Sequence, residues 1–324
     1  MTDLAVAAPK KFADPDRTAK GERRARVALD TLRTLWINTG SLCNIECRNC
    51  YIESSPENDR LAYLTRSEVA AYLDEIASDG WPVREIGFTG GEPFMNPDII
   101  EMFGDALGRG FSVLVLTNAM QPMLRPRIRD GLSALGASSG DRLVLRVSLD
   151  HHTRELHDIE RGEGSFSKTV EGIDWLAREG FALALAGRTC WGENEADARK
   201  GYAALIACRG WGVDAYDRTS LVLFPEMDLN ADVPEITEDC WGILHKSPSD
   251  VMCASSRMVV KRRGAARPVV LPCTLLPYDS AFEMGATLAD AASAEGGMFE
   301  QGAVKLCHPH CAKFCVLGGG SCST

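Results

Sequence analysis

The chain has 324 residues, 45% of them hydrophobic and 25% charged, with a formal net charge of −10. That is room for one large α/β domain plus a small appendage; the acidic balance argues against a nucleic-acid partner, which would need a basic face. No apolar run approaches a membrane span and no hydrophobic signal segment follows Met1, so no membrane association and a cytoplasmic location are expected, and the twelve cysteines point to metal or catalytic work rather than disulfides.

Residues 1–30 are rich in Ala, Lys and Arg, carry Pro9 and Pro15, and lack a sustained apolar period. They read as a mobile leader with a helical tendency near 21–29, their basic residues solvated. From 31 to 225 strand and helix patterns alternate. Strands are expected at 34–38, 84–89, 111–117, 142–149, 181–187 and 219–224, and helices near 66–79, 97–109, 123–135, 166–179 and 194–208. Thr65 followed by Glu68 is a capping box opening the first helix. Gly80, Gly110, Gly136, Gly180 and Gly210 stand where helices should stop. The run 113–116 is apolar at successive positions, as parallel strands covered on both faces are. This alternation gives a parallel sheet or barrel, and six units are too few to close an eight-stranded barrel. Cys208, ending the helical pattern Ala198, Tyr202, Leu205 and Ile206, reads as a small core residue.

Residues 226–252, rich in Pro and acidic groups, read as a connecting segment. In the remaining stretch, 253–324, Cys253 and Cys273 frame two β-like runs, 257–261 and 268–271, a hairpin. The chain ends in a Gly-rich tail with Cys307, Cys311, Cys315 and Cys322. A tail too small for its own core needs a metal to hold it.

The chemistry-bearing residues cluster at strand ends. Cys43, Cys47 and Cys50 follow the first long strand with C-x3-C-x2-C spacing. Zinc sites usually draw on two C-x2-C pairs, whereas three thiolates in one short loop suit an iron–sulfur cluster, with one iron left open. Gly90, Gly91, Glu92 and Pro93 end the second strand, Asn118 follows the third, Ser148 and Asp150 close the fourth, and Arg188 and Cys190 close the fifth. In β/α barrels, chemistry sits at the carboxyl ends of strands.

The cysteine loop, the Gly-Gly-Glu-Pro quartet and the segment 146–166, with His157, Asp158, Arg161, Gly162 and Gly164, together resemble the radical S-adenosylmethionine (radical SAM) superfamily over about residues 34–190. One departure is Asn49, where the family often has an aromatic; here Tyr51 follows the third cysteine instead. The resemblance implies an open, partial (β/α)6 TIM barrel in which Cys43, Cys47 and Cys50 hold a [4Fe-4S] cluster with SAM on its open iron. It further implies reductive cleavage of SAM to a 5′-deoxyadenosyl radical that abstracts hydrogen from a substrate. Gly90, Gly91, Glu92 and Pro93 would then hold the methionyl end of SAM, Glu92 at its ammonium. Arg188 would pair with the SAM carboxylate, the alternative being a surface salt bridge. Ser148, Asp150 and Asn118 are candidates for the ribose pocket. Cys190, beside Trp191, is a candidate hydrogen-atom donor or substrate contact, the alternative being a spectator thiol. His151 and His152 are candidates for substrate selection or proton transfer, or an exposed loop pair.

The hairpin and cysteine-rich tail resemble the auxiliary-cluster extensions (SPASM and Twitch) of radical SAM enzymes. Cys253, Cys273, Cys307, Cys311, Cys315 and Cys322 are the candidate ligands, although the tail's x3-x3-x6 spacing departs from the usual SPASM pattern. One auxiliary cluster is expected, with Cys253, Cys273 and two ligands from the final run. A second would need His308, His310, Cys240 or a substrate atom, and the alternative is a zinc knob using His308 or His310. The expected function is oxidative modification of an organic substrate, fed by a one-electron donor such as flavodoxin or ferredoxin. A small molecule is favoured because no peptide-recognition domain is fused. The alternatives are maturation of a ribosomally made peptide and, from another class, a non-catalytic iron–sulfur protein for electron transfer or sensing.

Overall fold

The computed structural model describes residues 10–224 and 232–318; Cys322 lies outside the described residues. The chain enters through β1 (Arg26–Val27) and then alternates strand with helix. The strands are β2 (Thr34–Asn38), β3 (Glu85–Thr89), β4 (Ser112–Thr117), β5 (Leu143–Ser148), β6 (Ala182–Arg188) and β7 (Leu221–Phe224). Between them lie α1 (Arg66–Asp79), α2 (Ile99–Gly108), α3 (Gln121–Leu124), α4 (Pro126–Ser139), α5 (Arg154–Arg161), α6 (Ser165–Arg178) and α7 (Glu195–Arg209). The last part holds α8 (Cys240–Leu244), β8 (Ser256–Val260), β9 (Val269–Leu271), α9 (Leu288–Ala292), β10 (Phe299–Glu300) and β11 (Ala303–Lys305).

The main sheet has eight strands in the order β7-β6-β5-β4-β3-β2-β8-β9. The six expected strands are parallel throughout and form the open, partial barrel. Every residue of β2 is buried, the two-sided burial that an unbroken apolar run requires. The capping box of α1 forms with both of its bonds.

The hairpin at β8 and β9 is antiparallel as expected, but β8 also pairs in parallel with β2. It therefore continues the barrel sheet past its first strand. The tendency towards helix near 21–29 is not realised: β1 pairs antiparallel with β11, and Ala25 and Val27 are fully buried. Nor is Arg24 solvated. Its buried guanidinium reaches Glu235 at 2.6 Å and the carbonyl of Arg17 at 2.9 Å.

The helix expected at 123–135 is two helices, because Arg125 is extended (ψ 141°) ahead of Pro126, the conformation that a following proline enforces. Gly136 does not stop α4. It lets the helix pack close to Phe181, whose ring a Cβ there would meet at 2.8 Å. Cys208 is exposed rather than in the core. α5 has no counterpart in the apolar pattern, since the only side chains it buries are His157 and Glu160.

Candidate active site

Cys43, Cys47 and Cys50 line one cavity at the carboxyl ends of the strands. Gly90 and Gly91 after β3, Asn118 after β4, Ser148 and Asp150 at the end of β5, and Arg188 ending β6 face the same cavity. The two glycines let the end of β3 lie on the start of the cysteine loop. A Cβ on Gly91 would stand 2.0 Å from the Leu42 carbonyl oxygen. Gly90 has φ +140°, and a Cβ there would stand 2.6 Å from the Gly40 oxygen. The Gly91 and Glu92 amides donate to the carbonyls of Gly40 and Leu42 at 2.8 and 3.1 Å.

Glu92 and Pro93 are buried behind this wall. The Glu92 carboxylate accepts from Thr117 Oγ1 at 2.8 Å, the Asn118 amide at 2.9 Å and the Phe94 amide at 3.2 Å. It thereby ties the end of β3 to the end of β4. Burial pushes its pKa up to about 7, against those three bonds. Asn118 in turn spans Asn44 Oδ1, at 2.9 Å, and Cys43 Sγ, at 3.8 Å.

Burial pushes the Cys43 thiol up to about 12, with the nearby Glu92 charge adding to it, and the Cys47 thiol up to about 11. Thiols so placed stay protonated at neutral pH unless a cation takes the proton's place. With Cys50 on the same cavity, the three cysteines fit an iron–sulfur cluster.

α5 supplies two residues that the apolar pattern did not single out. Arg161 grips Asp150 through Nε at 2.7 Å and Nη2 at 3.1 Å. Arg188 Nε stands 3.5 Å from the same carboxylate. Burial opposes the Asp150 charge, yet the two guanidinium groups hold its pKa below the usual carboxylate value. Arg188 is buried, so it is no surface salt bridge; its Nη2 donates to the Asn49 carbonyl at 3.0 Å, and its Nη1 has no hydrogen-bond partner among the described residues. Glu160 accepts from the Asn49 amide at 2.8 Å and from Asn49 Nδ2 at 2.9 Å. That explains Asn49 in place of an aromatic: it docks the cysteine loop on α5, while Tyr51 lines the cavity. Arg161 was named in the segment 146–166 that carries the family resemblance, whereas Glu160 was not singled out in the sequence.

Cys190 is half-buried and outside the cavity lining. His151 is buried rather than exposed. The Thr153 amide donates to its Nδ1 at 3.0 Å, and its Nε2 lies 2.8 Å from Glu193 Oε1. His152 stacks on His151 and abuts Gly201 of α7. The ligand atoms of His151, His152 and Glu193 lie within 4.8 Å of one another.

A second, smaller cavity is lined by Cys253, Cys273, Cys311 and Cys315. Cys253 precedes β8 and Cys273 follows β9, while Cys311 and Cys315 share the π-helical turn Cys311–Leu317. Four thiols around one cavity fit a four-iron cluster. Cys307 is turned elsewhere, its Sγ 3.4 Å from the carbonyls of Phe12 and Asp14. Cys240 bonds Thr237, and His310 Nδ1 lies 3.2 Å from the Leu275 carbonyl. Leu275 lines both cavities, and Phe314, from the same turn as Cys311, lines the first.

An open parallel barrel whose cysteine loop and Gly-Gly-Glu-Pro turn meet over one cavity defines a radical SAM architecture. Residues 37–198, half of the chain, match the Radical SAM superfamily, and the chain belongs to it. Members of this family use a [4Fe-4S] cluster and SAM. Among curated relatives, the AdoMet-dependent heme synthase of Methanosarcina barkeri is 34% identical over 144 residues, 44% of this chain and 38% of that protein. The antilisterial bacteriocin subtilosin biosynthesis protein AlbA of Bacillus subtilis is 32% identical over 44% of this chain and 30% of its own. The mycofactocin maturase MftC of Mycobacterium ulcerans is 32% identical over 44% of this chain and 36% of its own. The matched stretch is thus well under half of each relative. Streptococcus suis SuiB bound to S-adenosylmethionine shares the fold, with a TM-score of 0.58 and 12% identity over 83% of this chain and 67% of SuiB. SuiB bound to its precursor peptide SuiA aligns with a TM-score of 0.54 and 12% identity, over 80% of this chain and 63% of SuiB. Among the described residues no helix is long and apolar enough to cross a membrane.

Proposed function

We propose that this chain is a radical SAM enzyme that oxidatively modifies a peptide, with its substrate held between two iron–sulfur sites. The observation that carries the reading is the shared wall: Leu275 lines both the cavity of Cys43, Cys47 and Cys50 and the cavity of Cys253, Cys273, Cys311 and Cys315. When bound, the first cluster supplies the electron that cleaves SAM, and the auxiliary cluster accepts the electron that substrate oxidation releases. Gly90 and Gly91 give SAM close backbone approach. Arg188 offers its unpartnered Nη1 to the SAM carboxylate, with Asp150 and Arg161 fixing its position. Ser148 and Asn118 face the nucleoside side. Leu116, Phe224, Met252, Leu275 and Phe314 give the rest of the cavity an apolar wall that excludes water from a radical.

A peptide substrate takes its support from the relatives named as a bacteriocin biosynthesis protein and a mycofactocin maturase. A small acidic molecule is the second reading. It is favoured by Arg146, a buried cation on the cavity wall, and by the heme synthase relative. Anaerobically reconstituted enzyme with SAM and reductant is the test, given short peptides encoded beside its gene. Formation of 5′-deoxyadenosine with a peptide losing two hydrogens supports the reading. Turnover of a carboxylated small molecule alone favours the second, and no 5′-deoxyadenosine from any substrate defeats both.

A further inference from the structure

Arg257 on β8 is among the largest fully buried side chains, at 1% exposure. No carboxylate pairs with it among the described residues. Its Nη1 donates to the carbonyls of Cys253 at 2.6 Å and Ser256 at 2.8 Å, and its Nη2 to that of Gly302 at 3.4 Å. Its buried Nε has no hydrogen-bond partner among the described residues. A guanidinium does not give up its proton in a protein, and a buried charge left without a counter-charge costs several kcal/mol, about as much as a broken buried ion pair. Carbonyl dipoles offset part of that cost, but they carry no net charge.

Among the described residues, Cys253 and Cys273 are the ionisable groups near enough to influence Arg257. The strand register agrees: Met258 pairs with Leu271, which sets Arg257 opposite Pro272, one residue from Cys273. The cation is therefore bonded to the backbone of one cavity cysteine, Cys253, and lies on the strand next to the one that carries Cys273. If those thiols were neutral, Arg257 would have no anion among the described residues. If they are thiolates around a four-iron core, it has one, because such a cluster is negative when oxidised and more so when reduced.

We infer that Arg257 is the built-in counter-charge of the auxiliary site and holds its reduction potential up, which suits that site to take an electron from the substrate side. The inference rests on the reading of Cys253, Cys273, Cys311 and Cys315 as cluster ligands. A fixed cation in a low-dielectric interior stabilises the more negative, reduced state more than the oxidised one. Arg257 acts through the ligands and is a positioning residue.

The test uses the full chain with Cys43, Cys47 and Cys50 replaced by Ala, so that only auxiliary iron is present. Arg257→Met removes the charge and keeps the stem, while Arg257→Lys keeps the charge. Iron content and an EPR-monitored potentiometric titration are measured on each. The expected result is equal iron in all three proteins, a midpoint potential lowered in Arg257→Met, and one near the parent in Arg257→Lys. Loss of iron in Arg257→Met alone, with Arg257→Lys at the parent potential, also supports the charge role. An unchanged potential in iron-replete Arg257→Met overturns it. So do an equal drop in both variants and loss of iron from both, which would leave Arg257 a packing residue. Zinc in place of iron in the Arg257-containing parent overturns the cluster reading first, and the inference with it.

Discussion

Asp150 and Arg161 form a bidentate ion pair, Nε at 2.7 Å and Nη2 at 3.1 Å, in the wall of the cavity that Cys43, Cys47 and Cys50 line. The pair joins the end of β5 to the end of α5, and Glu160 beside it holds the cysteine loop through Asn49. The cysteine loop is thus braced by a helix whose buried side chains are His157 and Glu160.

Arg161→Ala leaves a buried carboxylate with Arg188 as its remaining cation. Breaking one side of a buried pair costs about 3–5 kcal/mol, so urea unfolding of the metal-free protein should show a loss of that order. Arg161→Lys should lose less, since a lysine keeps the charge but not the fork. The folded Asp150 pKa lies below its ordinary 3.8. Its stabilising contribution is therefore present above about 3.8 and is lost as pH falls below that. Arg161→Ala should lose it at higher pH than the parent. Equal stability of Arg161→Ala and parent across pH would contradict the brace.

Glu92→Gln should cost stability, because the carboxylate ties β3 to β4 through three donors. The amide nitrogen of Gln would face the Asn118 N–H and leave it unsatisfied, a loss of about 1–3 kcal/mol. The pH dependence has a definite sign. The folded pKa of about 7 lies above the ordinary 4.5, so between those values the folded chain holds a proton that the unfolded chain has lost. The stability of the parent relative to Glu92→Gln should fall as pH rises from 4.5 to about 7. Chemical denaturation of both proteins at a series of pH values checks this, and a constant difference would contradict it.

Cys307 and Cys315 should behave oppositely. Cys307 faces the carbonyls of Phe12 and Asp14, whereas Cys315 lines the second cavity with Cys253, Cys273 and Cys311. Cys307→Ser is expected to retain auxiliary iron after reconstitution, and Cys315→Ser to lose most of it. The reverse pattern would exchange the two thiols in the ligand set.

The strand-end constellation was legible because each of its parts is local. A parallel strand buried on both faces is an unbroken apolar run, and Gly90, Gly91, Asn118, Ser148, Asp150 and Arg188 lie at the ends of such runs. What was not legible depends on distant partners. β1 carries no period of its own, since its pairing comes from β11 near the other end of the chain. The parallel pairing of β8 with β2 is invisible in a hairpin's sequence. α5 buries His157 and Glu160 rather than a stripe of apolar residues, so hydrophobic periodicity could not reveal it. Cysteine spacing in the tail could not tell which thiols turn inwards; Cys307 is turned away by contacts with the first residues of the described chain. Nor does the quartet's sequence reveal that Glu92 joins two strand ends through Thr117 and Asn118.

In the proposed enzyme the cavities that share Leu275 hold two separate iron–sulfur sites. Iron and sulfide analysis with Mössbauer spectroscopy on the Cys43→Ala, Cys47→Ala, Cys50→Ala variant tests it most directly. Two four-iron clusters give roughly eight iron per parent chain, and about four iron and four sulfide should survive in the variant as one thiolate-ligated cluster. Zinc alone in the variant, or no metal at all, would contradict the claim.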